Sequence, residues 1–114
     1  MDLEISPLAP KSFPKMPFVN GVRVATANTE TKYRGRPDLL LIDLVSGTSV
    51  AGVFTNSTAP GHPVIWCRDK LSKGKARGLV VNAGNANVFN GKSGMQAVEA
   101  IAKSVSALLH CTKN

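Results

Sequence analysis

Cysteine is scarce in this chain, and its placement excludes the sites that cysteine most often builds. The 114 residues include two cysteines, Cys67 and Cys111, which are too far apart to form a CxxC pair. A zinc site or a disulfide framework needs more cysteines at closer spacing. We therefore expect no metal site, and two reduced, mostly buried thiols in an intracellular protein.

Long apolar runs are also lacking. No stretch approaches the roughly 20 apolar residues that a membrane-spanning helix needs. The N-terminal segment carries Asp2 and Glu4, followed by Pro7, Pro10, Pro14 and Pro17. Neither the apolar core of a secretion signal nor an organellar targeting helix has this composition. The sequence thus predicts a cytoplasmic protein with no membrane segment.

Acidic residues are few relative to basic ones. The chain has seven Asp and Glu against fourteen Lys and Arg, a formal net charge of +7. Such an excess can attract an anionic partner, nucleic acid included. Aromatic residues that could stack on bases amount to 5% of the chain. Among them Tyr33 alone lies within a basic cluster, formed by Lys32, Arg34 and Arg36. A solvated basic face is therefore favoured over a nucleic-acid site.

What the chain does contain is a series of short apolar segments separated by turn residues. Residues 1–18 are expected to form an extended, proline-rich arm. Alternation predicts a half-buried strand beginning at Gly21. Apolar runs predict further strands covering 38–45, 48–55, 64–67 and 78–82, the last two of them buried. Ser46 and Gly47 favour a tight turn, which predicts an antiparallel hairpin between 38–45 and 48–55.

One helix is well defined by its periodicity. Apolar residues recur three or four positions apart at Met95, Val98, Ile101, Val105 and Leu108. The spacing predicts a helix over 94–110, with Ser93 as its N-cap and His110 at the negative end of its dipole.

The predicted elements look incomplete by themselves. A strand at 78–82 followed by a helix is most of a βαβ unit, whose returning strand would begin near Asn114. Residues 19–114 are accordingly expected to be the N-terminal portion of a single α+β domain that is completed by residues outside this chain.

The connection between that strand and helix is rich in asparagine and glycine, reading NAGNANVFNGKSG over 82–94. Its part from Ala86 to Ser93 resembles a phosphate-binding loop, in which Lys92 would reach the outer phosphates. However, Ala86 stands where that motif has glycine, and the strand ends too early. A small nucleotide-binding domain is kept as the alternative interpretation.

The asparagines themselves suggest another use. Asparagine and glycine tolerate positive φ angles, and asparagine also bonds to neighbouring backbone groups. Asn82, Gly84, Asn85 and Asn87 are therefore candidates for the wall of an active site, in which an amide orients substrate or catalytic backbone. The other interpretation is a self-satisfied structural loop.

Longer stretches carry a more specific signal. Segments 51–71 and 76–101 resemble the ornithine acetyltransferase (glutamate N-acetyltransferase) family of arginine biosynthesis. The matching features are Val53-Phe54-Thr55, Pro63-Val64 and the run from Val80 to Asn87, followed by Gly91 and Gly94. Ala83 stands where serine is more usual in the family. The opening segments are also similar, so the resemblance covers nearly the whole chain.

The resemblance implies a fold and a reaction. The fold is an α+β sandwich of stacked sheets flanked by helices. A precursor cleaves itself before a threonine, which then carries acetyl from N2-acetylornithine to glutamate. That threonine, and the Thr-Gly pair that would stabilise the oxyanion, are expected beyond Asn114, so no catalytic residue is expected within these 114 positions.

The resemblance also implies partners. These are the remainder of the α chain and the self-cleaved β chain, assembled as two α and two β chains. No metal or nucleotide cofactor is implied, while acetyl-CoA stays open as an alternative acetyl donor. These 114 residues alone are expected to be inactive.

Overall fold

A computed structural model describes residues 4–113 as one small sheet with two helices. Its elements, in chain order, are β1 (Val22–Ala27), β2 (Leu39–Leu44), α1 (His62–Lys70) with a 3-10 turn (Leu71–Lys73), β3 (Gly78–Asn82) and α2 (Gly91–Leu108). The predicted α+β class is thereby confirmed. Residues 4–18 are exposed and contain neither helix nor strand, while residues 1–3 of the predicted arm lie outside the described part.

The sheet has the order β1-β2-β3, and both of its strand pairs are antiparallel. Its most apolar run, LLLIDL, is the central strand β2. Leu39 of β2 faces Ala27 of β1 on one side and Asn82 of β3 on the other. This register brings residue 28, just after β1, and residue 83, just after β3, to the same end of the sheet.

The predicted hairpin between 38–45 and 48–55 is wrong. The turn itself exists, because Gly47 has a φ of 89° and the Thr48 amide donates to the Val45 carbonyl at 3.2 Å. After the turn, however, the chain makes one isolated bridge, between Ser49 and Lys75. Both edges of β2 are already taken by β1 and β3, so no edge is left for residues 48–55 to join.

The predicted strand at 64–67 is also wrong, since these residues lie inside α1. Pro63 sits in the first turn of this helix, where proline is tolerated because its missing amide would have no partner there. The apolar residues of α1 have no helical periodicity, and a short apolar run cannot be distinguished from a strand by pattern alone. In the structure the run is helical, and α1 contacts α2.

Helix α2 confirms the predicted element but shifts its ends. It begins at Gly91, so Ser93 is not the N-cap; its hydroxyl instead donates to the Asn90 carbonyl at 2.7 Å, a bond that serine commonly makes within a helix. At the other end, His110 lies beyond the helix with a φ of 50°.

The chain leaves α2 through a Schellman turn. The Cys111 amide donates to the Ser106 carbonyl at 2.9 Å, and the His110 amide donates to the Ala107 carbonyl at 3.3 Å. This pair of bonds requires a left-handed residue just after the helix, a position that glycine usually fills. Histidine occupies it here, at the C-terminal end of α2, so it takes part in the backbone turn that ends the helix.

Little of the sheet is covered. Among the described residues no apolar side chain is fully buried, and Val24, Leu79 and Val81 expose 62%, 48% and 47% of their surface. The expected half-buried β1 and buried β3 are thus wrong as to burial. The chain exposes 9306 Å², against about 6000 Å² for a folded monomer of this mass. The sheet is exposed because α2 covers little of it. The helix approaches the sheet at Gly78 of β3, which lies against Val105 and the C-cap residue Leu109.

Asp43 of β2 is held by two arginines. Its Oδ2 accepts from Arg23 Nε at 2.8 Å, and its Oδ1 lies 3.6 Å from Arg77 Nη2. Hydrogen bonding from Arg23 comes first among the causes that lower the pKa of Asp43. Asp43 is therefore a structural carboxylate that ties β1 to β2.

Candidate functional site

The asparagine loop, defined here as residues 82–90, connects the end of β3 to the start of α2. Three of the residues in and next to it have positive φ angles: Gly84 at 115°, Phe89 at 58° and Gly91 at 59°. Left-handed backbone costs an ordinary L-residue about 1 kcal/mol or more, and Phe89 is also 84% exposed. The loop is therefore a tightly folded structure that depends on hydrogen bonds from its surroundings.

Asn87 organises the second half of the loop. Its amide Nδ2 donates to the Gly94 carbonyl at 2.9 Å, and its Oδ1 accepts from Asn90 Nδ2 at 3.1 Å. The backbone carbonyl of Asn87 also accepts from the His62 amide at 2.9 Å. One residue thus joins the loop, the first turn of α2 and the first residue of α1.

Gly94 allows this close packing. It is buried within α2, and a Cβ placed on it would lie 2.5 Å from Asn87 Oδ1 and 2.6 Å from His62 Nε2. These separations are far below van der Waals contact, so a side chain at position 94 would displace the ring or the amide. The Nδ1 atom of His62 is buried and has no hydrogen-bond partner among the residues described.

The first half of the loop is held by the β1–β2 loop, residues 28–38. Lys32 Nζ donates to the Gly84 carbonyl at 2.6 Å. A Cβ on Gly84 would lie 3.1 Å from Lys32 Cβ and 3.7 Å from the Tyr33 ring. On its own loop, Tyr33 is stacked by the Arg36 guanidinium at 3.7 Å from the ring centre.

Asp38 fixes the β1–β2 loop to the sheet. This side chain is buried, with 5% exposed, and its carboxylate accepts from the Thr29 amide and the Thr29 hydroxyl, each at 2.7 Å. These two bonds are the main causes that lower the pKa of Asp38. The Asp38 carbonyl in turn accepts from the Ala83 amide at 2.8 Å, so the same residue anchors both loops.

A shallow depression of about 240 Å³ lies beside the start of the asparagine loop. Its lining includes Asn82 and the apolar side chains of Leu40 and Val81, which are partners across the sheet. The depression is open to solvent, and its mostly apolar lining offers a surface for packing rather than a site for a charged ligand.

The four residues predicted to form an active-site wall are not equivalent. Asn87 and Gly84 lie in the two hydrogen-bonded halves of the loop, whereas Asn82 and Asn85 are exposed. Asn87 therefore shapes the backbone, while the Asn85 side chain is exposed to solvent. Sequence analysis missed Lys32, Asp38, Thr29 and His62, because contacts between residues far apart in sequence leave no periodic signal. Lys32 reaches the loop across 52 positions, and Thr29 acts on it only through Asp38.

The geometry gives the phosphate-loop alternative little support. Lys92 and Ser93 are exposed in the first turn of α2, and the Ser93 hydroxyl is used by the Asn90 carbonyl. Asn87, meanwhile, folds its amide back onto the helix at Gly94. A phosphate loop instead turns directly off its strand and converges its backbone amides on one point.

Metal ligands, membrane segments and thiols can be compared with the expectations over residues 4–113. No group of three or more histidine, cysteine, aspartate or glutamate side chains is placed to hold a metal ion. Nor is any helix in this range long and apolar enough to cross a membrane. Cys67 and Cys111 are free thiols, and each is half-buried rather than mostly buried.

Solved structures contain the same arrangement of elements. The chain superposes on arginine biosynthesis bifunctional protein ArgJ from Bacillus halodurans with a TM-score of 0.77 and 25% identity, covering 82% of this chain and 49% of that one. It superposes on ornithine acetyltransferase complexed with ornithine from Mycobacterium tuberculosis with a TM-score of 0.75 and 33% identity, covering 80% and 48%.

Curated sequences agree with the structures. Arginine biosynthesis bifunctional protein ArgJ of Bradyrhizobium diazoefficiens is 50% identical over 114 residues, and that of Mesorhizobium japonicum is 51% identical over 112 residues. The chain spans 28% and 27% of the length of these two relatives. The sequence profile of the ArgJ family matches residues 23–114. The chain therefore belongs to the ArgJ family.

Proposed function

We propose that residues 1–114 are the N-terminal part of an acetyltransferase that moves acetyl from N2-acetylornithine to glutamate in arginine biosynthesis. The observation that carries this proposal is the superposition, over 80% of this chain, on the M. tuberculosis ornithine acetyltransferase complexed with ornithine. The names of the bifunctional relatives at about 50% identity support the same pathway.

In the proposed reaction a threonine outside these residues is the nucleophile. Its hydroxyl oxygen attacks the acetyl carbonyl of N2-acetylornithine, with its own α-amine as the base that removes the proton. The bond from the carbonyl carbon to nitrogen breaks, the α-ammonium returns its proton to that nitrogen, and ornithine leaves as the amine while the threonine is acetylated. The amine of glutamate then attacks the ester carbonyl, and the carbon–oxygen bond to threonine breaks. The proton lost by that amine passes through the α-amine to the threonine oxygen, which gives N-acetylglutamate and regenerates the hydroxyl. Each step passes through an oxyanion that fixed donors must stabilise.

Within this mechanism the described residues provide shape rather than reacting groups. The asparagine loop is proposed to form part of the active-site wall, with Asn85 and Asn82 presenting amides while Gly84 and Asn87 set the path of the backbone. Such a wall needs a rigid support, since misplacement by about 1 Å can cost a factor of roughly one hundred in rate. The bonds of Asn87, Lys32 and Asp38 provide that support.

The same proposal includes the assembly. We expect the remainder of an α chain and a self-cleaved β chain to cover the sheet, in a cytoplasmic assembly of two α and two β chains. The large exposed surface, and the lack of a fully buried apolar side chain in the described range, support such a requirement. No metal or nucleotide cofactor belongs to the scheme, and acetyl-CoA is a second candidate donor.

An assay of the complete gene product tests this proposal. We expect acetyl transfer from N2-acetylornithine to glutamate, with parallel lines in double-reciprocal plots because the two substrates react in separate half-reactions. Intact mass of the purified protein should show two chains and, with donor alone, an acetyl group on one of them. Residues 1–114 alone should be inactive. An inactive complete product that binds ATP, with binding abolished by Lys92→Ala, would instead establish the nucleotide-binding alternative.

A further inference from the structure

We propose that Lys32 is a positioning residue for acetyl transfer: its ammonium group fixes the Gly84 peptide and thereby the orientation of the asparagine loop. This inference rests on the proposed function, because it takes that loop to be part of the acetyl-transfer site. Lys32 and Gly84 are 52 positions apart in sequence, yet their side chain and carbonyl meet at 2.6 Å.

Gly84 does not by itself fix the orientation of its peptide. Gly84 has a φ of 115°, a conformation that glycine adopts without a steric cost but does not itself enforce. The orientation of its carbonyl therefore depends on whatever holds it. Among residues 4–113 the donor to this carbonyl is Lys32 Nζ, so removing the ammonium frees the peptide that leads directly to Asn85.

The Lys32 side chain packs closely against Gly84. A Cβ on Gly84 would lie 3.1 Å from Lys32 Cβ and 3.4 Å from Lys32 Cδ. The aliphatic part of the lysine thus lies along the space that a side chain at position 84 would fill. The contact combines packing of the stem with a charge-assisted hydrogen bond at its end, which is stronger than a bond between neutral groups.

Other contacts of the β1–β2 loop hold the backbone that carries Lys32. Lysine has a flexible side chain, and holding it usually costs conformational entropy. Here the β1–β2 loop is already folded by other contacts: Asp38 holds Thr29 through two bonds of 2.7 Å, and Arg36 stacks on Tyr33. The backbone that carries Lys32 is therefore held by contacts other than the bond between the Lys32 ammonium and the asparagine loop.

These contacts differ from those of a lysine that merely contributes charge. The acidic partners of the three ion pairs in the described residues are Asp43 and Asp69, and neither lies on the β1–β2 loop. Lys32 uses its ammonium on a backbone carbonyl, which is a structural use. The alternative is that its positive charge attracts the carboxylates of the two substrates, and kinetics distinguish the two roles.

The experiment compares three variants of the complete gene product. Lys32→Met keeps the stem and removes the donor, and Lys32→Arg keeps a charged donor. Lys103→Met is the matched control, since it makes the same change at an exposed position of α2. The kcat and KM are measured for both substrates at low and high salt, with intact mass to verify self-cleavage and thermal melting to verify folding.

We expect Lys32→Met to fold and to lower kcat about tenfold, which corresponds to about 1.4 kcal/mol of lost transition-state stabilisation, while both KM values stay within about twofold of wild type. Lys32→Arg should restore most of kcat, and Lys103→Met should match wild type. A rise in KM that shrinks as salt increases would overturn the inference in favour of electrostatic attraction. Unchanged kinetics, or a Lys32→Met protein that does not fold, would also overturn it. Absence of acetyl transfer by wild type would refute the proposed function instead.

Discussion

Replacing Gly94 by alanine tests the packing at the start of α2. Helix propensity alone predicts a gain, because alanine is favoured over glycine by up to about 1 kcal/mol within a helix. The structure predicts a loss, since the new Cβ would lie 2.5 Å from Asn87 Oδ1 and 2.6 Å from His62 Nε2. Overpacking of this kind costs about 1–3 kcal/mol, and displacing the Asn87 amide from the Gly94 carbonyl costs about 1 kcal/mol more.

The gain in helix propensity, the cost of overpacking and the lost hydrogen bond together leave Gly94→Ala less stable by about 2 kcal/mol. This loss corresponds to a fall of about 4 °C in Tm for a protein of a few hundred residues. Differential scanning calorimetry of the complete gene product measures this shift. Ser104→Ala, at an exposed position of α2, reports the propensity effect alone and should leave Tm unchanged or slightly raised.

A second substitution identifies the cause of the loss. His62→Ala removes the ring that the new methyl group meets, so it should lower Tm less in the Gly94→Ala background than in wild type. Neighbouring residues that share a contact are expected to be non-additive in this way. A Gly94→Ala protein that melts above wild type, or strictly additive shifts in the double variant, would refute the reasoning from packing.

Three further predictions concern other positions. Hydrogen bonds from Thr29 lower the pKa of the Asp38 carboxyl in the folded state. The ionised carboxylate therefore contributes its full stabilisation of the fold above the ordinary aspartate pKa, and this contribution is lost as pH falls through the lowered pKa. Asp38→Asn should accordingly flatten the fall in Tm between about pH 5 and pH 2. His110→Gly should raise Tm, since it removes an L-residue from a φ of 50° at a gain of about 1 kcal/mol; an unchanged or lower Tm would contradict this assignment of strain. Burial raises the pKa of the Cys67 thiol, so iodoacetamide at neutral pH should label Cys67 more slowly than an unfolded peptide of the same sequence, as peptide mapping by mass spectrometry can show.

The elements that sequence predicted best were those with a repeating pattern. The regular apolar spacing from Met95 to Leu108 gave α2 to within a few residues, and the apolar runs gave β2 and β3. Helix α1 has no such periodicity, and its Val64 to Cys67 run therefore looked like a strand. The pairing of β2 also escaped prediction, because an adjacent turn at Ser46 and Gly47 favours a local hairpin while the sheet uses β1 and the distant β3.

The candidate site was likewise predictable from the sequence only in part. Asparagine and glycine content indicated a loop with unusual backbone after β3, and Gly84 does take a positive φ, but this loop is shorter than residues 82–94 because α2 begins at Gly91. What holds the loop could not be predicted, since Lys32 and Asp38 reach it from the β1–β2 loop and His62 reaches it from α1. Whether Asn82 and Asn85 contact a substrate stays a prediction.

The sparse burial of the sheet also determines how unfolding would be observed. Heat-capacity change and urea sensitivity both scale with the surface exposed on unfolding, and residues 1–114 leave 9306 Å² in water even when folded. Studied alone, this stretch would melt gradually and respond weakly to denaturant. A sharp calorimetric peak from the complete gene product would thus measure the joint burial of the sheet and the polypeptide packed on it, rather than a property of these strands.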